Sequence, residues 1–430
     1  MKPDSVISVL SILCKYCEAE DYRGWDPYDG LSSKVFQALP FLKKSALCRL
    51  IMIQGFKRCP FNIRRLFLVP KGHNAKGIGL FLQGYCNLYK MVDGQESMVE
   101  DLESKEKILE RIRYLADLLL EMRSDVIFPG KYHGACWGYN FDWQARRLFL
   151  FPKYTPTVVA TSFCATALFE AYEILKSKDE GLKSGFERYR EAALSSAEFV
   201  MNDLHRYYPD PDDKGKFLFS YSPLKGNDTV YNASLLGSRL LSYCYKYSGR
   251  EDYKSAAQQS VMTCCDGQEK DGSWVYGLLP VQNWKDSFHT GYNLDGLIAF
   301  YENCIDGTED NGLKSKVKET IDRGFDYYIK NFFEADGCPK YYHDRKYPID
   351  IHCPGQLFVT LARLHKYAEY KDFADKVMDW TVRNMQDQKG YFYYQLKPGM
   401  SSKISYMRWS NAFMFCAISY FLLNEEQRKI

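Results

Sequence analysis

The chain has 430 residues and a net charge of +3 from 57 basic and 54 acidic side chains, a balance that argues against general polyanion binding and disfavours a nucleic-acid protein. A hydrophobic content of 46% and an aromatic content of 16%, with 34 tyrosines and 7 tryptophans, describe a folded globule whose rings can fill a core or line a sugar-binding cleft. Fourteen cysteines without disulfide-scaffold spacing read as buried thiols of a reducing compartment.

In chain order, the first apolar run, VISVLSIL (6–13), has no basic segment before it and no small-residue cleavage site before EAED. No run reaches the ~18 apolar residues of a membrane span, so a cytoplasmic protein without stable membrane insertion is expected. Residues 1–60 read as a helical lead-in. RRLFLVPK (64–71) then has a near copy, RRLFLFPK (146–153), with seven of eight residues matching, which reads as a duplicated corner. Arg146 and Arg147 of the second copy follow WGYNFDWQ (137–144), where an anionic sugar would arrive.

From there one grammar repeats: a charged amphipathic helix, a glycine with clustered aromatics, a loop, then a far more apolar helix. KILERIRYLADLLLEM (107–122), VKETIDRGFDYYIKNFF (317–333) and FADKVMDWTVRNM (373–385) each carry one apolar stripe and are predicted to be outer helices. GACWGY, GKFLFSY, DGSWVYG, DGCPKYY and KGYFYY are the aromatic segments. The apolar helices begin at TVVATSF (157), TVYNASL (229), SFHTGYN (287), DIHCPGQ (350) and SYMRWSN (405), with a degenerate first member at NAKGIGL (74). Six outer–inner hairpins predict an all-α (α/α)6 toroid, a single domain over 1–430.

In such a ring the inner-helix N-termini collect at one end of a central funnel, and their free N–H groups favour anions. His289 and Tyr292, three apart, share a helical face and are expected either to satisfy each other inside the ring or to serve as base and acid for proton abstraction beside a carboxylate, with Arg408 neutralising the enolate. Asp142, Asp286 and Asp350 offer the alternative of paired carboxylates for glycoside hydrolysis, against the common role of Asp as a helix cap. Trp137, Tyr139, Trp143, Trp274 and Trp409 are expected as stacking surfaces, and Arg146, His352, Gln356 and Asn411 as further substrate contacts. Asp350, His352 and Cys353, near His343, have zinc-ligand chemistry but no closed spacing, so neither metal nor cofactor is expected. DPDD (210–213) matches an acid motif of terpene cyclases but lies in a loop-like YYPDPDDKGK. There is no GxxxxGK[ST] and no GxSxG.

The six-hairpin grammar resembles the toroid proteins that act on carbohydrates: uronyl 5-epimerases, N-acylglucosamine 2-epimerases, toroid polysaccharide lyases and unsaturated glucuronyl hydrolases. GWDPYDGL (24–31), DSFHTGYNLDGL (286–297) and MRWSNAFM (407–414) are similar to microbial proteins associated with surface-polysaccharide biosynthesis. The resemblance implies a glycan substrate, polysaccharide-synthesis machinery as a partner, and an epimerase or lyase. A glycoside hydrolase, a non-catalytic glycan-binding or assembly component, and a zinc-dependent transferase or cyclase are the alternatives.

Overall fold

The computed structural model describes residues 3–94, 104–144, 150–177 and 183–426. Helix α1 (Pro3–Ala19) is followed by the short helices α2 (Lys34–Gln37) and α3 (Pro40–Lys44) and by α4 (Ala46–Arg58). The ring helices follow: α5 (Ala75–Gly94), α6 (Lys105–Glu121), the short α7 (Ser124–Ile127), α8 (Val158–Lys176), α9 (Lys183–Glu198), α10 (Tyr231–Ser248) and α11 (Glu251–Asp266). The remainder are α12 (Ser287–Phe300), α13 (Asn311–Asn331), α14 (His352–Arg363), α15 (Lys371–Met385) and α16 (Phe413–Glu426).

Helices α5, α8, α10, α12, α14 and α16 each pack on the next, and α16 returns to α5, which closes an inner ring. Helices α6, α9, α11, α13 and α15 pack outside their inner partners, and α1 packs on α16 as the sixth outer helix. The chain therefore forms the (α/α)6 toroid expected from its repeat. The first 60 residues divide between α1, which belongs to the outer layer, and a small cluster around Leu31, Phe36 and Ile53.

Burial follows composition. Helix α6 buries only the stripe Ile108, Ile112, Leu115, Ala116 and Leu119, as one wet face requires, whereas α8 is buried nearly all round. Helix α8 is the one described helix long and apolar enough to cross a membrane, and 83% of its apolar window is buried in the ring. Thr157 caps α8 by accepting from the Ala160 N–H, and Asp286 caps α12 by accepting from the His289 N–H.

The repeated glycines mark where each corner touches the next outer helix. A Cβ on Gly272 would lie 2.4 Å from the Arg323 carbonyl of α13, and one on Gly337 2.7 Å from the Lys376 carbonyl of α15. On Gly390 it would lie 2.6 Å from the Ile12 carbonyl, so α1 receives its corner as the other outer helices do. All three have positive φ, which glycine adopts without strain.

Short antiparallel pairs brace the long loops: β1 (Trp143–Gln144) with β2 (Leu150–Phe151), β3 (Arg206–Tyr207) with β4 (Leu218–Phe219), and β5 (Ile349–Asp350) with β6 (Tyr393–Leu396) and β7 (Ser402–Ser405).

Candidate functional site

A cavity of about 650 Å³ opens where the six inner helices begin. Lys76, Val159, Asn232, His289, His352 and Arg408 reach it from the starts of the six inner helices of the ring. Its walls are aromatic: Tyr28, Tyr139, Trp143, Tyr221, Tyr276, Trp284 and Trp409 among them. A funnel with ring-faced walls and a few convergent polar groups has the composition of a small-molecule site.

His289 is held from one side. Its Nδ1 lies 2.8 Å from Asp286 Oδ2, while Oδ1 of the same carboxylate accepts the His289 backbone N–H at 3.1 Å. Trp284 Nε1 donates to Oδ2 at 3.0 Å, so the cap residue is fixed by three donors and buried. A carboxylate on Nδ1 places the proton there and leaves Nε2 as the free lone pair. Expected as a helix cap or a catalytic acid, Asp286 is a cap that also orients the histidine.

Tyr292 lies on the same face of α12, one turn deeper. Lys76 Nζ donates to its hydroxyl oxygen at 2.9 Å and also lies over the Phe163 and Tyr292 rings. Burial, then the neighbouring Tyr139, holds the Tyr292 hydroxyl well above the usual phenol range. Burial, then repulsion from Arg408, pulls the Lys76 ammonium well below its usual range. Lys76 escaped the sequence reading; its signal was a lysine in the first turn of an otherwise apolar inner helix.

Arg408 reaches the funnel floor from a π-helical turn, Met407–Ala412, that opens the sixth inner helix. Its Nε and Nη2 clasp the Asp26 carboxylate at 2.6 and 2.8 Å, and both residues are buried. The expected free cation is thus half of a fork-to-fork ion pair, and Nη1 is the nitrogen that Asp26 leaves unused. His352 stacks on Phe413 with centroids 4.1 Å apart and packs against Trp409 at 4.3 Å. Burial, then Lys76 and Arg408, pulls its imidazole well below the usual range, so it is neutral.

The remaining expected residues divide. Tyr139, Trp143 and Trp409 line the funnel, Trp143 stacked on Phe151 with centroids 4.3 Å apart. Trp137 and Trp274 do not: each is buried and donates its indole N–H to a carbonyl of the preceding outer helix, Leu119 at 2.8 Å and Cys264 at 2.9 Å. They are matched core posts of the repeat, and a stacking role is withdrawn for both. Asn411 is also structural, bonded to the Phe392 N–H and to Ser405. Gln356 lies beneath the funnel, donating to Asp295 at 3.1 Å and Thr360 at 3.0 Å.

The three carboxylates do not converge on one cavity. Asp350 is fully buried and accepts from the His352 N–H, Gln395 and Trp409, outside the funnel lining. Asp142 lines a neighbouring cavity of about 720 Å³ and accepts the Lys153 N–H at 2.6 Å. Among the described residues no three His, Cys, Asp or Glu side chains are grouped to hold a metal ion, and Asp350 and His352 stand 3.9 Å apart. The DPDD segment is an exposed loop. Arg146 and Arg147 lie outside the described residues.

No known sequence family and no curated protein matches the chain by sequence. Solved structures do match its fold. A sugar epimerase from a ruminal bacterium superposes with a TM-score of 0.55 at 11% identity, covering 82% of this chain and 90% of its own. Cellobiose 2-epimerase from Bacillus thermoamylovorans gives 0.55 at 13% identity, with 82% and 89% covered. The GH76 α-mannanase of Bacteroides thetaiotaomicron gives 0.54 at 11% identity, with 83% and 87% covered. At these identities the likeness is one of architecture: the chain shares the (α/α)6 toroid with epimerases and glycoside hydrolases alike.

Proposed function

We propose that the protein is a carbohydrate-active enzyme that epimerises or isomerises a saccharide by proton transfer at a carbon beside a carbonyl. The observation that carries this reading is the Asp286–His289 pair, with its free Nε2 directed by the carboxylate on the opposite nitrogen, in an aromatic funnel that also holds Tyr292 and Lys76. Nε2 of His289 takes the carbon-bound proton, the C–H electron pair becomes the new C=C bond, and the carbonyl π pair moves onto oxygen. Arg408 Nη1 hydrogen-bonds that oxygen as its charge grows. Tyr292 returns a proton to the carbon, the Lys76 N–H stabilises the phenolate left behind, and exchange with water in the open funnel returns a proton to Tyr292 and removes the one held by His289.

Epimerases among the structural neighbours support this reading, and so does the sequence resemblance to proteins of surface-polysaccharide biosynthesis. That context, a cytoplasmic location and contact with the synthesis machinery belong to the same proposal. Hydrolysis by paired carboxylates has less support, because Asp286 and Asp350 are buried outside the funnel lining and Asp142 lines the neighbouring cavity.

The test is incubation in deuterated water with a panel of reducing, amino-sugar and uronate-containing saccharides. One carbon-bound deuterium in a panel member, lost in His289→Gln and in Tyr292→Phe, is the expected result. Release of new reducing ends without deuterium uptake would transfer the protein to the hydrolases. Absence of both across the panel would leave a binding component.

A further inference from the structure

Between Asp29 and Asp93 the chain carries eleven Lys and Arg residues and not one Asp or Glu, in a protein whose charges are otherwise nearly balanced. The outer part of that segment, α2 to α4 and the loop after it, also exposes large apolar side chains: Phe41 by 68%, Leu47 by 66%, Phe61 by 67% and Leu66 by 76%. Leu47 and the equally prominent Ile51 are one turn apart, so α4 shows a continuous apolar edge to solvent. Lys43, Lys44 and Arg58 border it and are exposed.

A second acid-free stretch, from 388 to 424, carries the β6–β7 hairpin, and it meets the first where Arg64 lies over the ring of Tyr406, just after β7, at 4.7 Å. Its tip exposes Met400, and burial, then repulsion from Lys57 and Arg58, holds the Lys397 ammonium below its usual range. Lys57 also donates to the Tyr28 hydroxyl at 2.6 Å, and Tyr28 lines the funnel. The basic and apolar surface therefore borders the funnel mouth.

We propose that this surface docks the protein peripherally on an anionic lipid bilayer, with the funnel mouth beside the membrane. Scattered apolar tips ringed by cations, with no carboxylate in either contributing segment, fit a surface that is uniformly negative and apolar beneath its headgroups. An acidic protein partner would present a mixed surface, and neither contributing segment has a carboxylate to answer its cations. The interaction is adsorption, not insertion: α4 is 13 residues long and its other side packs on the chain.

The experiment is co-sedimentation of the full chain with vesicles of phosphatidylcholine alone or mixed with phosphatidylglycerol, at low and high salt. Binding only to the phosphatidylglycerol vesicles, weakened by salt, is expected. Lys43→Gln/Lys44→Gln lowers the partition coefficient by about 25-fold, taking about five-fold per basic residue. Phe41→Ser/Leu47→Ser/Ile51→Ser abolishes binding while circular dichroism is unchanged, and Lys318→Glu, on α13 across the ring, binds as wild type does. No binding to phosphatidylglycerol vesicles, or equal binding by all variants, overturns the proposal. So does a dimer in light scattering that Leu47→Ser dissociates, since a second copy would then be the occupant.

Discussion

Asp26→Asn is the most informative substitution for stability, because it removes one charge and almost no volume. In the native protein Asp26 Oδ2 accepts from Arg408 Nε at 2.6 Å, and Oδ1 accepts from Arg408 Nη2 at 2.8 Å and from the Tyr28 N–H at 3.1 Å. An amide in the same place turns an NH₂ toward one of those donors and leaves the guanidinium buried with half its partner. A lost hydrogen bond to a charged group costs about 1.5–3 kcal/mol, and breaking a buried pair from one side costs about 3–5 kcal/mol in total. We expect that range in urea unfolding followed by tryptophan fluorescence. Asp26→Leu/Arg408→Met should be less destabilised than the sum of its single variants by about 2 kcal/mol or more, since it removes both charges together. A cost for Asp26→Asn below about 1 kcal/mol would refute the reasoning, because it would mean that water or another carboxylate already compensates Arg408.

Other substitutions test other joints. Asp286→Asn can still cap α12 but turns its NH₂ toward the buried Trp284 indole N–H, so stability falls by about 1–3 kcal/mol, while deuterium exchange falls by about 10²–10⁴-fold for want of an oriented base. His352 is held neutral when folded, so the native state binds fewer protons than the unfolded chain, and stability is lost as pH falls below the unfolded value of about 6.5. His352→Phe, which keeps the stack on Phe413, should flatten that loss by up to about 1.4 kcal/mol per pH unit in acid titrations of unfolding. Gly134→Ala places a Cβ 1.9 Å from the Ser195 carbonyl of α9, so its thermal unfolding should reveal a cost of about 1–3 kcal/mol or more, where an exposed Gly185→Ala shows none.

The ring was legible because each hairpin repeats its pattern locally: a striped helix, a glycine turn and an apolar helix can be recognised without knowing what touches what. The site was legible only where its partners are also local. Asp286 and His289 are three residues apart on one capped helix, and although the sequence read them for rival chemistries, both were named as candidates and the 2.8 Å contact joins them. Trp137 and Trp274 misled because a tryptophan after a glycine turn reads equally as platform or post. Their indole partners, the carbonyls of Leu119 and Cys264, decide it, and a carbonyl has no sequence signature. Lys76 and Tyr292, separated by 216 positions, meet only when the ring closes.

The longest of these links ties closure to chemistry. Asp26 and Arg408 are 382 positions apart, and the segment that carries Asp26 follows α1, the outer helix that completes the sixth pair against α16. Gly390 fits against the Ile12 carbonyl of the same helix, so the last corner of the ring is shaped by the first helix of the chain. Until α1 docks, Arg408 has no carboxylate and its guanidinium would be an unpaired charge in an apolar funnel. Docking pairs two of its nitrogens with Asp26 and leaves Nη1 outside that pair. In this protein the joint that closes the toroid therefore also sets the charge at the funnel floor, so a loosened joint disturbs the fold and the funnel together.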